Sequence, residues 1–588
     1  AVLRLVRELD IQIMDDGVQW EQSPMYHNEV LRCLLEVLRV AGQQGISLPR
    51  SLPEKARAMA LADLAWMKPD RTQPLNGDSD RTDLRDVFTP AAWILKDNRL
   101  RYAGYDRLDF ESVWDLGADA ALEYESMRSE TPECLFHALE QSGNWCLRSG
   151  WDRNADYLHF KCGSLGGGHG HFDKLHVDLS IAGEDVLIDS GRYTYVDGSL
   201  RRQLKSSCAH NVPVVDWQEY TQCTGSWDVK GRTAPAGQDW SQKGPYTFLQ
   251  GTHLGYLPAG VLVNRRIISI GTRIHVIADE FYGTGTHVLS QVFHLNPAGS
   301  VEMREDVFLY HGIRAEAAFY RVDPWSGGGG GKMELEETPV SFHYNQLEYA
   351  PCVSLWRESA LPCSMLTVAA GYETGSGNPY TRIRHLPCYR QMLKGRGGGS
   401  GADTGWKTFL AGSPESSGNW GGRRIHRRGR QIRPGAGHGL RRSGQGRPDD
   451  RAPVVNRTST NAARRHQNHI KEQTKEQTMQ TKDSLQTYTI MEKSEAEACL
   501  DLAVSLVREN LKTFTRCFPD SNSRNQFYPQ SSNREWTTGF WTGEIWLAYE
   551  MTGEEAFRKA GAVQVESFLD RIERRIDTDN HDMGFYIP

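Results

Sequence analysis

No two cysteines in this 588-residue chain stand in a CxxC spacing, and their total of eleven is odd. That excludes a cysteine-rich zinc module and a complete disulfide framework as organising devices, so reduced thiols are the expectation. No uninterrupted apolar run approaches the ~18–20 residues that a membrane span requires. A large charge of one sign is lacking too: the net charge of −6 suggests neither a nucleic-acid partner nor an anion-repelling surface. The opening "AVLRLVRELD" has no initiator methionine and no basic-then-apolar leader. It reads as the inside of a helix, and the expectation is that a preceding segment has been lost, together with any targeting signal. What is present suffices for real cores: 39% hydrophobic residues over this length correspond to roughly two to four domains.

Hydrophobic spacing divides the chain. Over residues 1–145 apolar residues recur at three- and four-residue intervals in "AVLRLVRELDIQIM", "NEVLRCLLEVLRVAGQQG" and "LPEKARAMALADLAWM", which predicts three helices. The polar, turn-rich stretch that follows, with "PLNGDSDRTD", reads as a loop over a helical scaffold. From Asp156 the period becomes two. "KLHVDLSIAGEDVLIDSG" predicts a hairpin turning at Gly183, and similar strands continue through residues 146–391. A helical block followed by a long antiparallel block is an α+β multidomain chain. Residues 392–482 are rich in Arg, Gly, Ser and Gln and lack periodicity, so disorder is predicted there. Three readings stay open for this segment: a linker, a basic tail, or a frameshift read through until a second frame opens near Met479. Residues 483–588 return to helical spacing, with two helices predicted around the turn at Thr552-Gly553.

The chemistry-bearing stretch is "GGGHGHFDKLHVDLSIAGEDVLIDSG", residues 166–191. In an extended strand His169 and His171 would share a face. Asp189 closes the returning strand and His210 follows in "SSCAHNVPVVD". His171, Asp189 and His210 form a two-nitrogen, one-oxygen set suited to Zn²⁺. Spacing alone leaves the alternative that Asp189 merely opens the "DSG" turn and the histidines are ordinary polar residues.

The run from Trp151 to Tyr220, with "HGHFD", "VLIDSGRYTY" and "AHNVPVVD" in order, resembles the β-domain core of the heparinase II/III-like polysaccharide lyases. "DDGVQWEQSPMYHNEVL" and "NGDSD" resemble their helical toroid, so the likeness spans roughly residues 1–390. It implies a partial (α/α) toroid over 1–145, an antiparallel β-sandwich over 146–391, and an acidic, uronate-bearing polysaccharide as substrate. It also implies catalytic roles for Tyr26 and His169, and Zn²⁺ held by His171, Asp189 and His210. Cleavage by β-elimination removes the C5 proton of a uronate, expels the 4-oxygen and leaves a C4=C5 double bond. A base, an acid and a group that neutralises the carboxylate are needed. Tyr26 becomes a usable base only if nearby positive charge lowers its pKa from about 10. The family's carboxylate-neutralising Asn or His precedes the tyrosine, and the 25 residues before Tyr26 supply no obvious candidate. Export to the cell envelope, or secretion, is what the resemblance implies for location, with the cytoplasm as the alternative.

Residues 483–588 resemble the opening of the unsaturated glucuronyl hydrolases, which are (α/α)₆ barrels. The matching stretches are "REWTTGFWTGEIWLAYEMTGEEAF" and "DTDNHDMGF". Trp536, Phe540 and Trp541 match a sugar-stacking wall, with a helix core as the alternative, and Asp582 matches one of two essential aspartates. Paired carboxylates divide acid and base roles, so one aspartate alone implies an incomplete, inactive domain. Two other functions remain open: a non-catalytic carbohydrate-binding remnant, and a glycoside hydrolase working through this C-terminal part. Neither nucleic acid nor membrane is expected as a partner.

Overall fold

The structure, a computed structural model, describes residues 2–322, 331–376, 493–523 and 527–576. The readings of residues 392–482 and of Asp582 therefore lie outside the described residues. Chain contacts divide it into two units, residues 1–414 and 415–588.

The first unit begins with the three expected helices, α1 (Val2–Gln12), α2 (Pro24–Gln43) and α3 (Ser51–Trp66). The stretch read as loop is more ordered than its composition suggests. It folds into α4 (Arg85–Leu95), α5 (Asn98–Ala103), α6 (Phe110–Leu116) and α7 (Ala118–Ser126), after the irregular segment that carries "NGDSD". Short length hides their periodicity, and Pro90 inside α4 disguises an apolar stripe that buries Val87, Phe88, Ala91, Ala92 and Leu95.

Strands begin at Phe136, earlier than the change of period suggested. A five-stranded antiparallel meander follows: β1 (Phe136–Leu139), β2 (Asn144–Arg148), β3 (Tyr157–Lys161), β4 (His176–Ile181) and β5 (Glu184–Leu187). The last two strands are the hairpin read from the sequence, with Gly183 in the left-handed region at φ +73°. This sheet is covered on both faces, and alternation sorts its residues. Trp145, Leu147, Leu158 and Phe160 enter the main β core, whereas Cys146 and Tyr157 join the helical core with Leu31, Met59, Trp66 and Phe88. Two hydrogen bonds pin the end of α3 to it: Arg148 Nη2 donates to the Ala65 carbonyl (2.6 Å) and Tyr157 Oη to that of Trp66 (2.7 Å).

Two further antiparallel sheets close the opposite side. One has eight strands, in spatial order Ser300–Met303, Val307–His311, Ala315–Val322, Cys363–Glu373, Ile274–Gly283, Val261–Ile270, Tyr246–His253 and Pro235–Lys243. The other has four: Lys332–His343, Gln346–Ala360, Thr286–His294 and Pro213–Val215. Leu249, Ile267 and Phe319 from the first and Leu289, Phe293 and Val353 from the second share one core with the meander. Among the described residues no helix is long and apolar enough to cross a membrane, and the ten described cysteines are unpaired.

The second unit contains helices Lys493–Phe514, Thr538–Thr552 and Glu555–Glu573. Gly553 caps the middle one at φ +69°, at the turn expected from the sequence. Its core gathers Val504, Phe514, Ile545, Phe557 and Phe568.

Candidate active site

Tyr26 sits in the first turn of α2, where Pro24 occupies the opening position that tolerates a missing N–H. Its ring stacks on His169, with centroids 3.4 Å apart and planes 16° from parallel. The phenol oxygen lies 2.8 Å from Tyr195 Oη, which Arg192 Nη1 also contacts. Arg192 is held in turn by Asp80, from Nε at 2.7 Å and Nη2 at 3.1 Å. Burial pushes the Tyr26 phenol up to about 12, and the Tyr195 hydrogen bond and the Arg192 charge only partly oppose that. Among the protein's own groups, desolvation outweighs a guanidinium whose charge Asp80 already neutralises. Tyr26 is a protonated donor at neutral pH.

His169 and His171 do not lie on a strand, as the alternation argument supposed. They occupy a turn and an irregular segment ahead of β4. What brings them together is Asp78, whose carboxylate accepts from His169 Nδ1 (3.1 Å) and His171 Nε2 (2.9 Å) while Arg201 grips both its oxygens. Burial alone would raise the Asp78 carboxyl, but the Arg201 charge and these hydrogen bonds hold it well below the usual carboxylate range. An ionised carboxylate only accepts. His169 must then carry its proton on Nδ1 and His171 on Nε2, a tautomer assignment that follows from the hydrogen-bond network. His169 Nε2 is left facing Glu21 Oε2 at 3.7 Å, and Trp227 meets the ring edge-on at 4.8 Å.

The glycines around His169 are there for close packing. A Cβ at Gly170 would overlap the Leu165 carbonyl oxygen, so the loop could not keep its path. Gly170→Ala is expected to destabilise the first unit by about 1–3 kcal/mol, measured as a lower denaturant midpoint; an unchanged midpoint would refute that tight fit.

His171, Asp189 and His210 are fully buried and offer donor atoms within 4.8 Å of one another. The free atoms fit a cation. His171 Nδ1 and His210 Nε2 make no hydrogen bond within the protein, and each ring's other nitrogen is engaged by a carboxylate, Asp78 or Asp189. Burial lowers the His171 pKa to about 4, which keeps its imidazole neutral, as a ligand must be. Asp189, which burial would raise, is brought down to about 2 by His210 and His176. Asn76 Nδ2 donates to Asp189 Oδ2 at 3.3 Å. These three residues could hold a cation, with Asp78 bonded to His171 and Asn76 to Asp189 from outside the set.

Sequence reasoning missed Asp78, Glu21, Arg192, Tyr195 and Arg201. Asp78 lies in "NGDSD" and Tyr195 in "GRYTY", both noticed as motifs without a role. It also missed His294, fully buried with neither ring nitrogen bonded within the protein and pushed down to about 3 by burial and its neighbour His210. In the second unit the proposed aromatic wall divides. Trp536 and Phe540 are half-exposed and meet edge-on at 6.2 Å. Trp541 instead turns inward, donating from Nε1 to the Phe514 carbonyl (3.0 Å), and belongs to the helix core because a face repeating every three to four residues cannot expose adjacent positions 540 and 541 alike.

Comparison with known proteins finds two family matches and several relatives. Residues 1–102 match the family described as Heparinase II/III N-terminus and residues 132–355 the one described as Heparinase II/III-like, C-terminal. A heparin-sulfate lyase of Pedobacter heparinus is 27% identical over 222 residues, covering 36% of this chain and 31% of that protein. One of Bacteroides stercoris is 21% identical over 311 residues, covering 51% and 42%. An unsaturated chondroitin disaccharide hydrolase of Streptococcus pneumoniae is 41% identical over 100 residues, 17% of this chain and 25% of that protein. The crystal structure of heparan sulfate lyase HepC from Pedobacter heparinus superposes with a TM-score of 0.53 at 20% identity, covering 64% of this chain and 56% of that one. This chain thus spans a quarter of the hydrolase and less than half of either lyase relative. With N- and C-terminal matches in the same order as its helical and β parts, the chain belongs to the heparinase II/III family over residues 1–102 and 132–355.

Proposed function

We propose that the first unit is a polysaccharide lyase that cleaves a uronate-containing glycan by β-elimination. The observation that carries this is the stacked Tyr26–His169 pair, in which one member is a protonated donor and the other has its second nitrogen turned away from Asp78. His169 Nε2 accepts the C5 proton, and Tyr26 Oη gives a proton to the departing 4-oxygen. Tyr195 and Arg192 hold the phenol in line. The helices of residues 1–145 would form part of an (α/α) toroid and the sheets behind them a β-sandwich, with the acidic glycan between the two layers. An envelope or secreted location is proposed with this reading, since a charged polymer does not cross a membrane unaided.

His171 Nδ1, Asp189 and His210 Nε2 are the atoms that would hold Zn²⁺. When bound, the ion would add positive charge and stiffness beside the His169 loop. His171→Ala is expected to weaken zinc affinity by at least about 10²-fold, more than loss of an outer partner does, and to lower thermal stability. Elemental analysis checks this, and a parent protein without zinc would sink the ligand set.

The reading as a whole is tested by incubation with heparan sulfate, hyaluronan, chondroitin and alginate. The expected result is ultraviolet absorbance from the new conjugated double bond on at least one of them. Binding without absorbance would favour a carbohydrate-binding role. Loss of that absorbance from unsaturated disaccharides would favour a hydrolase, the reading supported by the disaccharide-hydrolase likeness and the half-exposed Trp536 and Phe540.

A further inference from the structure

We propose that Asp78 is the positioning residue of this site: its carboxylate sets the tautomer and aim of both His169 and His171, so that the proton-transfer histidine and the metal ligands are held as one unit from the helical layer. This rests on the lyase and metal reading above.

The loop Asn76–Asp80 touches Asp189, His169, His171, the turn that carries Tyr26, and Arg192, one residue at a time. Asn76 reaches Asp189. Gly77, at φ +64°, brings the backbone so close that a Cβ there would stand 2.8 Å from the His169 carbonyl oxygen, and the Asp78 N–H donates to that same oxygen at 2.9 Å. Ser79 Oγ accepts from the Met25 N–H at 3.2 Å and lies 3.0 Å from Ser23 Oγ, fixing the turn that carries Tyr26. Asp80 holds Arg192, and through it Tyr195 and Tyr26. Within this loop only Asp78 has a side chain bonded to both histidines.

Arg201 is what makes Asp78 an obligate acceptor. Both groups are fully buried, and the guanidinium donates to both carboxylate oxygens, each of which keeps a lone pair for one ring N–H donor. An amide at position 78 could donate as well as accept and would let either imidazole flip its proton to the wrong nitrogen. His169 would then present N–H where a base is needed, and His171 would lose the open lone pair on Nδ1. The same substitution should therefore damage proton transfer and metal binding together, though residue 78 touches neither substrate nor metal.

The test combines a measurement on the parent with a variant. In metal-free parent protein labelled with ¹⁵N-histidine, at mildly alkaline pH, His169 should show the Nδ1–H tautomer and His171 the Nε2–H tautomer, with resonances assigned through His169→Gln and His171→Gln. The variant is Asp78→Asn combined with Arg201→Gln, which removes the buried pair together and so leaves no uncompensated charge. Expected are a folded protein, zinc affinity lower by about 10–100-fold in competition with a chromophoric chelator, altered His169 nitrogen shifts, and a kcat lower by about 10²-fold or more with KM within about threefold. A parent with His169 protonated on Nε2 overturns the proposal, even if the variant fails to fold. So does a folded variant whose zinc affinity and His169 shifts equal the parent's. A parent that cleaves no glycan defeats the lyase reading while these two readouts still decide the role of Asp78.

Discussion

Tyr26→Phe is expected to lower kcat on the cleaved glycan by about 10²–10⁴-fold, the usual worth of a positioned proton donor, while KM changes little. The substitution removes one hydroxyl and its 2.8 Å hydrogen bond to Tyr195 but keeps the aromatic face stacked on His169, so the shape of the site survives. The sign of the pH dependence follows from burial. With the phenol pushed up to about 12, its acid form dominates at every pH below that value, and the group should impose no loss of rate through the neutral and mildly alkaline range. A parent whose rate falls well below that pH, through a group that disappears in Tyr26→Phe, would show that the phenol works as a base. Near-normal turnover in the variant would remove Tyr26 from the chemistry altogether.

The largest effect on stability is expected from Arg265→Met, which should cost about 3–5 kcal/mol. Arg265 and Asp279 are fully buried and paired on two sides, Nε to Oδ1 and Nη2 to Oδ2, each at 2.7 Å. Methionine fills much of the space but leaves Asp279 with Gln291 Nε2 (2.8 Å) in place of the guanidinium. The remaining nitrogen, Nη1, donates to the carbonyls of Leu175 (2.7 Å) and Asn211 (2.5 Å), tying the segments after His171 and His210 to the eight-stranded sheet. Zinc retention should therefore weaken as well. Adding Asp279→Leu should recover much of the loss by removing the stranded charge, and equal instability of single and double variants in denaturant titrations would contradict this account.

Where local pattern decides structure, the sequence was readable. The hairpin through Gly183 and helices α1–α3 follow from apolar period alone, and the turn at Gly553 follows from a residue free to adopt positive φ. Short helices between residues 85 and 126 were not readable, since six to eleven residues with an internal Pro90 give too few repeats to stand out from a loop. Trp541 was misplaced because aromatic content does not say which face of a helix is buried.

The candidate site divides the same way. Family-like motifs were enough to name Tyr26, His169, His171, Asp189 and His210, and these do converge. That His169 and His171 meet through Asp78, with Arg201 bonded to it across 123 positions of chain, and that Tyr195 lies against Tyr26 across 169, could come only from packing the helical layer on the β layer. The sequence by itself determined which residue types are available and which segments alternate or coil, because those depend on neighbours a few positions apart. Tertiary structure alone decided which nitrogen keeps a lone pair and that Tyr26 stays protonated, because desolvation and hydrogen-bond direction are properties of the assembled interior.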